Sequence, residues 1–379
     1  MTVQSPSARI LVADDQADIL AALRFLLTDG GYQTELVSSV DAVLAALATG
    51  EFDLLLMDLN YTRDTTSGRE GLELISQIRS RNRSLPVVVM TGWGSIDTAV
   101  DAMRRGARSF VQKPWEDATL LEVIEREIRE ARASRRQDEE QAREIEEARL
   151  IQRGLLPAAF PDLPGCAIGG TWQPAYGFGG DCYDAIRFSD TTLGVSIADV
   201  VGKGLPAALL MSNLQAAVRA FASETTLPRD LCGSVNRLLC RNVASGKFVT
   251  FCYCQLDMAR RTLTHANAGH NPPILARGDG RVERLSSGVT PLGVFADAPY
   301  EQGQTALTSG DRLVLFTDGI TEAQNGEDEE FGDERLVSLV VERRARAPQA
   351  LQASIFDTVR AFTGGAFQDD ATLIVIGME

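Results

Sequence analysis

The sequence predicts two folded regions joined by one long helix: an α/β region built on a doubly wound parallel sheet, then an α+β layered sandwich with sheets inside and helices outside. Three observations carry this. Between Arg9 and about residue 130, short apolar runs alternate with segments of helical period. From Glu116 to Arg153 there is neither glycine nor proline. Beyond residue 157 the pattern becomes strand-rich, with acidic turns. The expected boundaries are 1–125, 126–156 and 157–379.

In the first region RILVA (9–13) ends in Asp14-Asp15, and QADILAALRFLLTDGG has helical period up to Gly30-Gly31. YQTELVSS reads as a second strand and VDAVLAALATG as a second helix. FDLLLMD (52–58), LPVVVMTG (85–92) and SFVQKP (109–114) are further strands, ending at Asp58, Thr91 and Lys113-Pro114. Strands alternating with helices mean right-handed βαβ units and a parallel sheet covered on both faces. In such a sheet ligands gather beyond the carboxyl ends of the strands, where Asp14, Asp15, Asp58, Thr91 and Lys113 all fall. Clustered carboxylates repel unless a divalent cation joins them. A cation held by Asp15, Asp58 and a water-linked Asp14 leaves one Asp58 oxygen free as a nucleophile. Lys113 and Thr91 would then bind the oxygens of an incoming phosphoryl group.

In the order and spacing of these residues, the region from 9 to 130 resembles the receiver domain of two-component response regulators. The resemblance implies a flavodoxin-like fold, Asp58 as phosphoacceptor and a sensor histidine kinase as phosphodonor. It also implies one Mg²⁺ or Mn²⁺ held by Asp14, Asp15, Asp58 and the Asn60 carbonyl, and Phe110 as the aromatic that packs inward when Thr91 moves. The long polar loop YTRDTTSGREG (61–71) departs from the pattern and is expected to alter access to the site or autodephosphorylation.

The uninterrupted stretch after Glu116 is rich in Glu, Arg, Ala, Leu and Ile, so a single helix is expected to continue the receiver's last helix. Heptad positions 121, 124, 128, 131, 135, 138, 142 and 145 read Leu, Ile, Ile, Ala, Arg, Asp, Ala, Ile, and the phase slips after Ile145. This seam, apolar at its ends and charged in its middle, predicts a weak parallel coiled coil and a homodimer through the connector. The competing expectation is a solvated spacer helix of mixed charge.

In the third region LGVSIADV (193–200) is a buried strand whose end presents Asp199; Gly179, Gly180, Gly202 and Gly204 allow tight turns around it. LPAALLMSNLQAAVRAF (205–221) is a helix with Pro206 near its start, and further helices are expected at 228–244, 333–346 and 348–363. Acidic turns recur as GGD at 179–181, ADVVGKG at 198–204, TDGITEA at 317–323 and DDAT at 369–372. Carboxylates at several strand turns suit hard cations. Two such cations bridging a water would lower its pKa and place it in line with a phosphorus atom.

The ordered series IQRGLLP, GGDxYD, ADVxGKG, AGHNPP, TPLG, TDGxTEA and DDAT, over about residues 150 to 379, resembles the metal-dependent PPM (PP2C-like) phosphatases, in particular the SpoIIE/RsbU-like bacterial branch that dephosphorylates anti-sigma-factor antagonists. Matching positions imply Asp181, Asp199, Asp318 and Asp369 as catalytic metal ligands for two Mg²⁺ or Mn²⁺ ions, with the Val200 carbonyl as a further ligand. Asp184 and Asp370 would stand behind them. His270 is expected to be structural or substrate-adjacent, and Lys203 either pairs with substrate phosphate or is a solvated loop lysine. Cys252 and Cys254, two apart on a strand, share a face and belong to the core.

Composition narrows the partners. With 37 basic against 52 acidic residues the formal charge is −15, which argues against nucleic acid or an anionic membrane surface. Six cysteines without a CxxC pair suggest reduced thiols, and the N-terminal residues show no signal-peptide pattern, so a cytoplasmic protein is expected. The combined expectation is a response regulator whose phosphorylated receiver controls a serine/threonine phosphatase acting on a phosphoprotein. The rival is a non-catalytic, phosphorylation-gated adaptor that binds a sigma-factor regulator.

Overall fold

The computed structural model describes residues 7–61, 68–92, 96–175, 177–242, 246–286, 288 and 290–379. The chain divides into two compact units, Met1–Ile145 and Glu146–Glu379.

In the first unit the elements alternate: β1 (Arg9–Ala13), α1 (Ala17–Asp29), β2 (Gln33–Val37), α2 (Val40–Thr49), β3 (Leu54–Asp58), α3 (Arg69–Arg81), β4 (Val87–Thr91), α4 (Ile96–Arg104), β5 (Ser109–Gln112) and α5 (Asp117–Leu155). The strands form one parallel sheet in the order β2-β1-β3-β4-β5. Period-two alternation feeds two cores. Leu11, Leu55, Met57, Val87 and Val89 pack on one face of the sheet, and Ile10, Val12, Leu54, Leu56, Val88 and Met90 on the other. Strand order reverses between β1 and β3, which puts Asp14, Asp15 and Asp58 at the crevice where such a sheet binds ligands.

The long helix α5 runs unbroken for 39 residues. The seam expected to pair with a second copy is corrected at its N-terminal end. Ile124 and Ile128 are buried in the unit's own core with Leu120, and Leu121 packs against that core. An apolar stripe buried there is not free to face a partner. What stays exposed is the charged middle, then Ile145, Leu150 and Ile151.

The second unit continues with β6 (Cys166–Gln173), β7 (Cys182–Arg187), β8 (Thr192–Val200), α6 (Leu205–Phe221), α7 (Pro228–Asn242), β9 (Val249–Asp257), β10 (Thr262–Ala268), β11 (Ile274–Ala276), β12 (Val282–Arg284), β13 (Gly303–Ala306), β14 (Arg312–Phe316), α8 (Asp318–Thr321), α9 (Asp333–Arg343), α10 (Pro348–Phe362) and β15 (Ala371–Met378). Two antiparallel sheets result, β13-β10-β9-β8-β7 and β12-β11-β14-β15-β6. Leu193, Val195 and Ile197 share one core with Leu313, Leu315, Ile374 and Ile376, joining the two sheets. The alternate residues Val314, Phe316, Leu373 and Val375 pack instead with Leu336, Val340, Leu351 and Ile355 of α9 and α10. β15 is therefore buried on both faces, which explains its unbroken apolar run. The short β12, β13 and α8 carry too few periodic residues to be read from the sequence. All six cysteines are free thiols, and Cys252 and Cys254 are fully buried. Among the described residues no helix is long and apolar enough to cross a membrane.

Candidate active site and phosphoacceptor site

At the mouth of the parallel sheet, carboxylate oxygens of Asp14, Asp15 and Asp58 lie within 4.8 Å of one another. Lys113 Nζ donates to Asp14 Oδ2 at 2.6 Å and to Asp58 Oδ2 at 2.9 Å. Asp58 Oδ1 accepts from the Leu59 amide at 2.7 Å. Burial and then the Asp14 charge raise the Asp58 carboxyl, with the Lys113 contacts pulling against them. Burial opposes the charge on Lys113, but its hydrogen bonds to the two carboxylates win and its pKa is raised. Thr91 is buried at the end of β4, while Phe110 is 49% exposed. Asn60 lies two residues past Asp58, half-buried. Positions 62–67 of the polar loop fall outside the described residues.

In the second unit the acidic turns converge. Asp181, just before β7, is buried; its Oδ2 accepts from Thr317 Oγ1 at 2.7 Å and Thr372 Oγ1 at 2.6 Å. Its Oδ1 is buried with no hydrogen-bond partner. Burial, then the neighbouring Asp199, raise the Asp181 carboxyl well above the usual range. Asp199, in the penultimate position of β8, is pushed up to about 7 by burial and by the charges of Asp318, Asp369 and Asp370. Asp318, at the first turn of α8, is raised by burial and by Asp369. No three acidic side chains among the described residues here close to the spacing of the receiver trio. The cluster is wider, its members close enough for each to feel the charge of the others. Lys203 Nζ stands at its rim, 3.0 Å from Asp369 Oδ2.

Glycines shape this cluster in two ways. Gly202 and Gly204 adopt φ of +103° and +74°, the left-handed region that the turn after β8 requires. Gly180 is needed for close approach: a Cβ there would meet the Val200 carbonyl oxygen at 2.8 Å. Asp370 serves the same loop, its Oδ2 accepting from the Gly180 amide at 2.6 Å and its Oδ1 from Ala175 at 2.9 Å. Asp184 is engaged elsewhere, by Arg219 Nε at 2.6 Å and Nη2 at 3.0 Å. His270 is buried: Nε2 lies 3.1 Å from the Phe316 carbonyl and Nδ1 2.9 Å from Thr250 Oγ1. Thr317, Thr372 and Gln152 were not singled out from the sequence. Each lies inside a quoted motif, which does not say which partner a side chain meets.

The donor set fits divalent cations. An orphaned buried carboxylate oxygen, amid aspartates whose charges raise one another's pKa, is a group lacking its counter-charge. All the candidate donors are oxygens, the preference of Mg²⁺ and Mn²⁺.

A parallel-sheet unit ahead of a two-sheet antiparallel sandwich with an acidic centre is the architecture of a receiver domain followed by a PP2C-like domain. Residues 10–125 match the family "Response regulator receiver domain", and residues 189–379, half of the chain, match "Stage II sporulation protein E (SpoIIE)". The chain belongs to the SpoIIE family, with a response-regulator receiver domain preceding the SpoIIE region. It is 32% identical over 234 residues to the phosphoserine phosphatase RsbU of Bacillus subtilis (strain 168), covering 62% of this chain and 69% of RsbU. Among solved structures, the RsbU and RsbW domains of Rv1364c from Mycobacterium tuberculosis superpose with a TM-score of 0.54 at 26% identity, over 59% of this chain and 63% of that one. The SiaA-PP2C domain of Pseudomonas aeruginosa shares the fold, with a TM-score of 0.56 at 22% identity, over 64% of this chain and 98% of that one.

Proposed function

We propose that this protein is a response regulator whose phosphorylated receiver controls hydrolysis of a phosphoserine or phosphothreonine ester on a partner protein, an anti-sigma-factor antagonist being the partner class the family suggests. The observation that carries the catalytic half is the buried Asp181 carboxylate, with one oxygen unpartnered and Asp199 beside it. Asp181, Asp199, Asp318, Asp369 and the Val200 carbonyl would hold two divalent cations. Bound there, the cations supply charge neutralisation at the phosphate and a water of lowered pKa. Thr317 and Thr372 hold Asp181 in one rotamer by donating to its Oδ2. Asp370 tethers the Gly180 turn from behind. Lys203, beside Asp369 at the rim of the cluster, would pair with the phosphate oxygens of the substrate.

In the receiver, Asp58 accepts the phosphoryl group from a histidine kinase, with a cation on Asp14, Asp15, Asp58 and the Asn60 carbonyl. Lys113 already spans Asp14 and Asp58 and holds the acyl phosphate by a charge-assisted contact. Thr91 moves toward the phosphoryl oxygen, and the exposed Phe110 turns inward. The change reaches the phosphatase through α5 and activates it; a second copy pairs along the stretch that α5 leaves exposed.

The test is Mn²⁺-dependent release of phosphate from a phosphoserine peptide. The wild-type chain turns over; Asp199→Asn stays folded and does not. Turnover near wild type in Asp199→Asn, or binding of the phosphopeptide with no turnover in the wild type, overturns the catalytic reading.

A further inference from the structure

The last two turns of α5 contribute to the acidic cluster through Gln152. Its side chain is 3% exposed. The amide pairs reciprocally with one residue: Nε2 donates to the Gly179 carbonyl at 2.6 Å, and Oε1 accepts from the Gly179 amide at 3.2 Å. A side-chain amide that satisfies both polar groups of one residue imitates a strand neighbour, and it fixes that residue's position and tilt together. Gly179 is also closely packed: a Cβ there would meet Trp172 Cζ2 at 2.7 Å. The next residue, Gly180, is held by Asp370 and pressed against the Val200 carbonyl. The residue after that is Asp181, whose Oδ1 has no partner.

We infer that Gln152 is a positioning residue for metal binding: it sets the Gly179–Asp181 turn so that the Asp181 carboxylate faces the cluster. This rests on the reading of Asp181 as a metal ligand. The physical reason is the backbone. Two consecutive glycines have no side chains to anchor them, so the turn takes its place from whatever grips its peptides. Among the described residues, Gln152 and Asp370 grip it in this way. A neighbouring contact tests specificity. Gln215 of α6 donates to the Leu155 carbonyl at the end of α5 and so helps dock the same helix, but its hydrogen bond does not touch the turn.

The experiment is Mn²⁺ binding by the full chain, followed by calorimetry and by the resonance of free Mn²⁺, in an Asp15→Asn background so that the receiver trio contributes nothing. Gln152→Met keeps volume and removes both hydrogen bonds; it is expected to weaken Mn²⁺ binding by about tenfold or more. Gln215→Leu should lower the melting temperature yet bind Mn²⁺ within about twofold of the parent. Binding by Gln152→Met within about twofold of the parent overturns the inference, as does an equal loss in Gln215→Leu, which would make helix docking the cause. Asp181→Asn separates the two levels. If that variant binds like the parent, the metal-site reading itself is wrong and this inference falls with it; if only Gln152→Met does, the site stands and Gln152 has no part in it. Should Gln152→Met fail to fold, amide exchange of the unsubstituted chain decides. Protection at Gly179 that strengthens on adding Mn²⁺ supports the clamp; an amide free to exchange, or protection indifferent to Mn²⁺, refutes it.

Discussion

His270 offers a test of the phosphatase fold that is independent of metal and substrate. The ring is fully enclosed, Nε2–H donates to the Phe316 carbonyl, and Nδ1 accepts from the Thr250 hydroxyl. Protonation would put a charge on a ring removed from water, so burial holds the imidazole down at about 4 against the pull of the Phe316 carbonyl. The gap from the ordinary 6.5, about 2.5 pH units, is worth about 3.5 kcal/mol in full, at about 1.4 kcal/mol per pH unit. The sign follows from proton counting. Below 6.5 the unfolded chain takes up a proton that the folded chain refuses, so stability is complete above pH 6.5 and is lost as pH falls towards 4. His270→Gln can make both hydrogen bonds without titrating, so the wild type should lose up to about 3 kcal/mol of unfolding free energy relative to it between pH 6.5 and 4. Carboxylates raised by the cluster act in the opposite direction, but they are common to both proteins and cancel. The assay is urea unfolding at a series of pH values, paired with imidazole carbon–proton spectra. The chain has only two histidines, so assignment needs one variant. A His270 resonance that titrates at 6.5 or above, or parallel pH dependence in the two proteins, refutes the reasoning.

Other outcomes follow from single contacts. Asp58→Ala should take up no phosphate from acetyl phosphate, checked by intact mass; modification elsewhere in that variant would count against the receiver assignment. Gly180→Ala would bring a methyl group to 2.8 Å from the Val200 carbonyl oxygen, and is expected to cut Mn²⁺-dependent turnover by about a hundredfold while melting within a few degrees of wild type. Arg219→Leu leaves the buried Asp184 carboxylate without its guanidinium; because Arg219 is half-exposed, the loss in unfolding free energy should be about 2 kcal/mol rather than the larger cost of a fully buried pair. Inserting two residues after Arg136 turns one part of α5 by about 200° relative to the other. It should abolish the response of phosphatase rate to beryllofluoride while basal rate survives, and an undiminished response would rule out transmission by helix phase.

Local pattern was enough for much of this protein. The 3.6-residue period marks α6 at Leu205–Phe221, because burial of one face imposes its period on the sequence; the strands that carry Asp58, Thr91 and Asp199 show instead as short apolar runs, because both of their faces are covered. Strand-end aspartates and glycine turns were legible for the same reason: in this kind of sheet the chemistry sits where the strands stop. Partnership was not legible, because it depends on which distant segments meet. Nothing around Asp184 or Asp370 says that the first is bound by Arg219 while the second, 186 positions later, bonds to the Gly180 turn. The heptad reading of α5 failed at Ile124 and Ile128 because an apolar stripe does not declare what will cover it, and the receiver's own sheet does so. Gln152 stood in plain view in IQRGLLP, but only the folded second unit brings its amide onto Gly179, across 27 positions of chain. Residue type and period thus determined the elements and the chemistry they carry; the tertiary structure decided which side chains hold that chemistry in place, since a hydrogen bond needs two groups that the chain order leaves far apart.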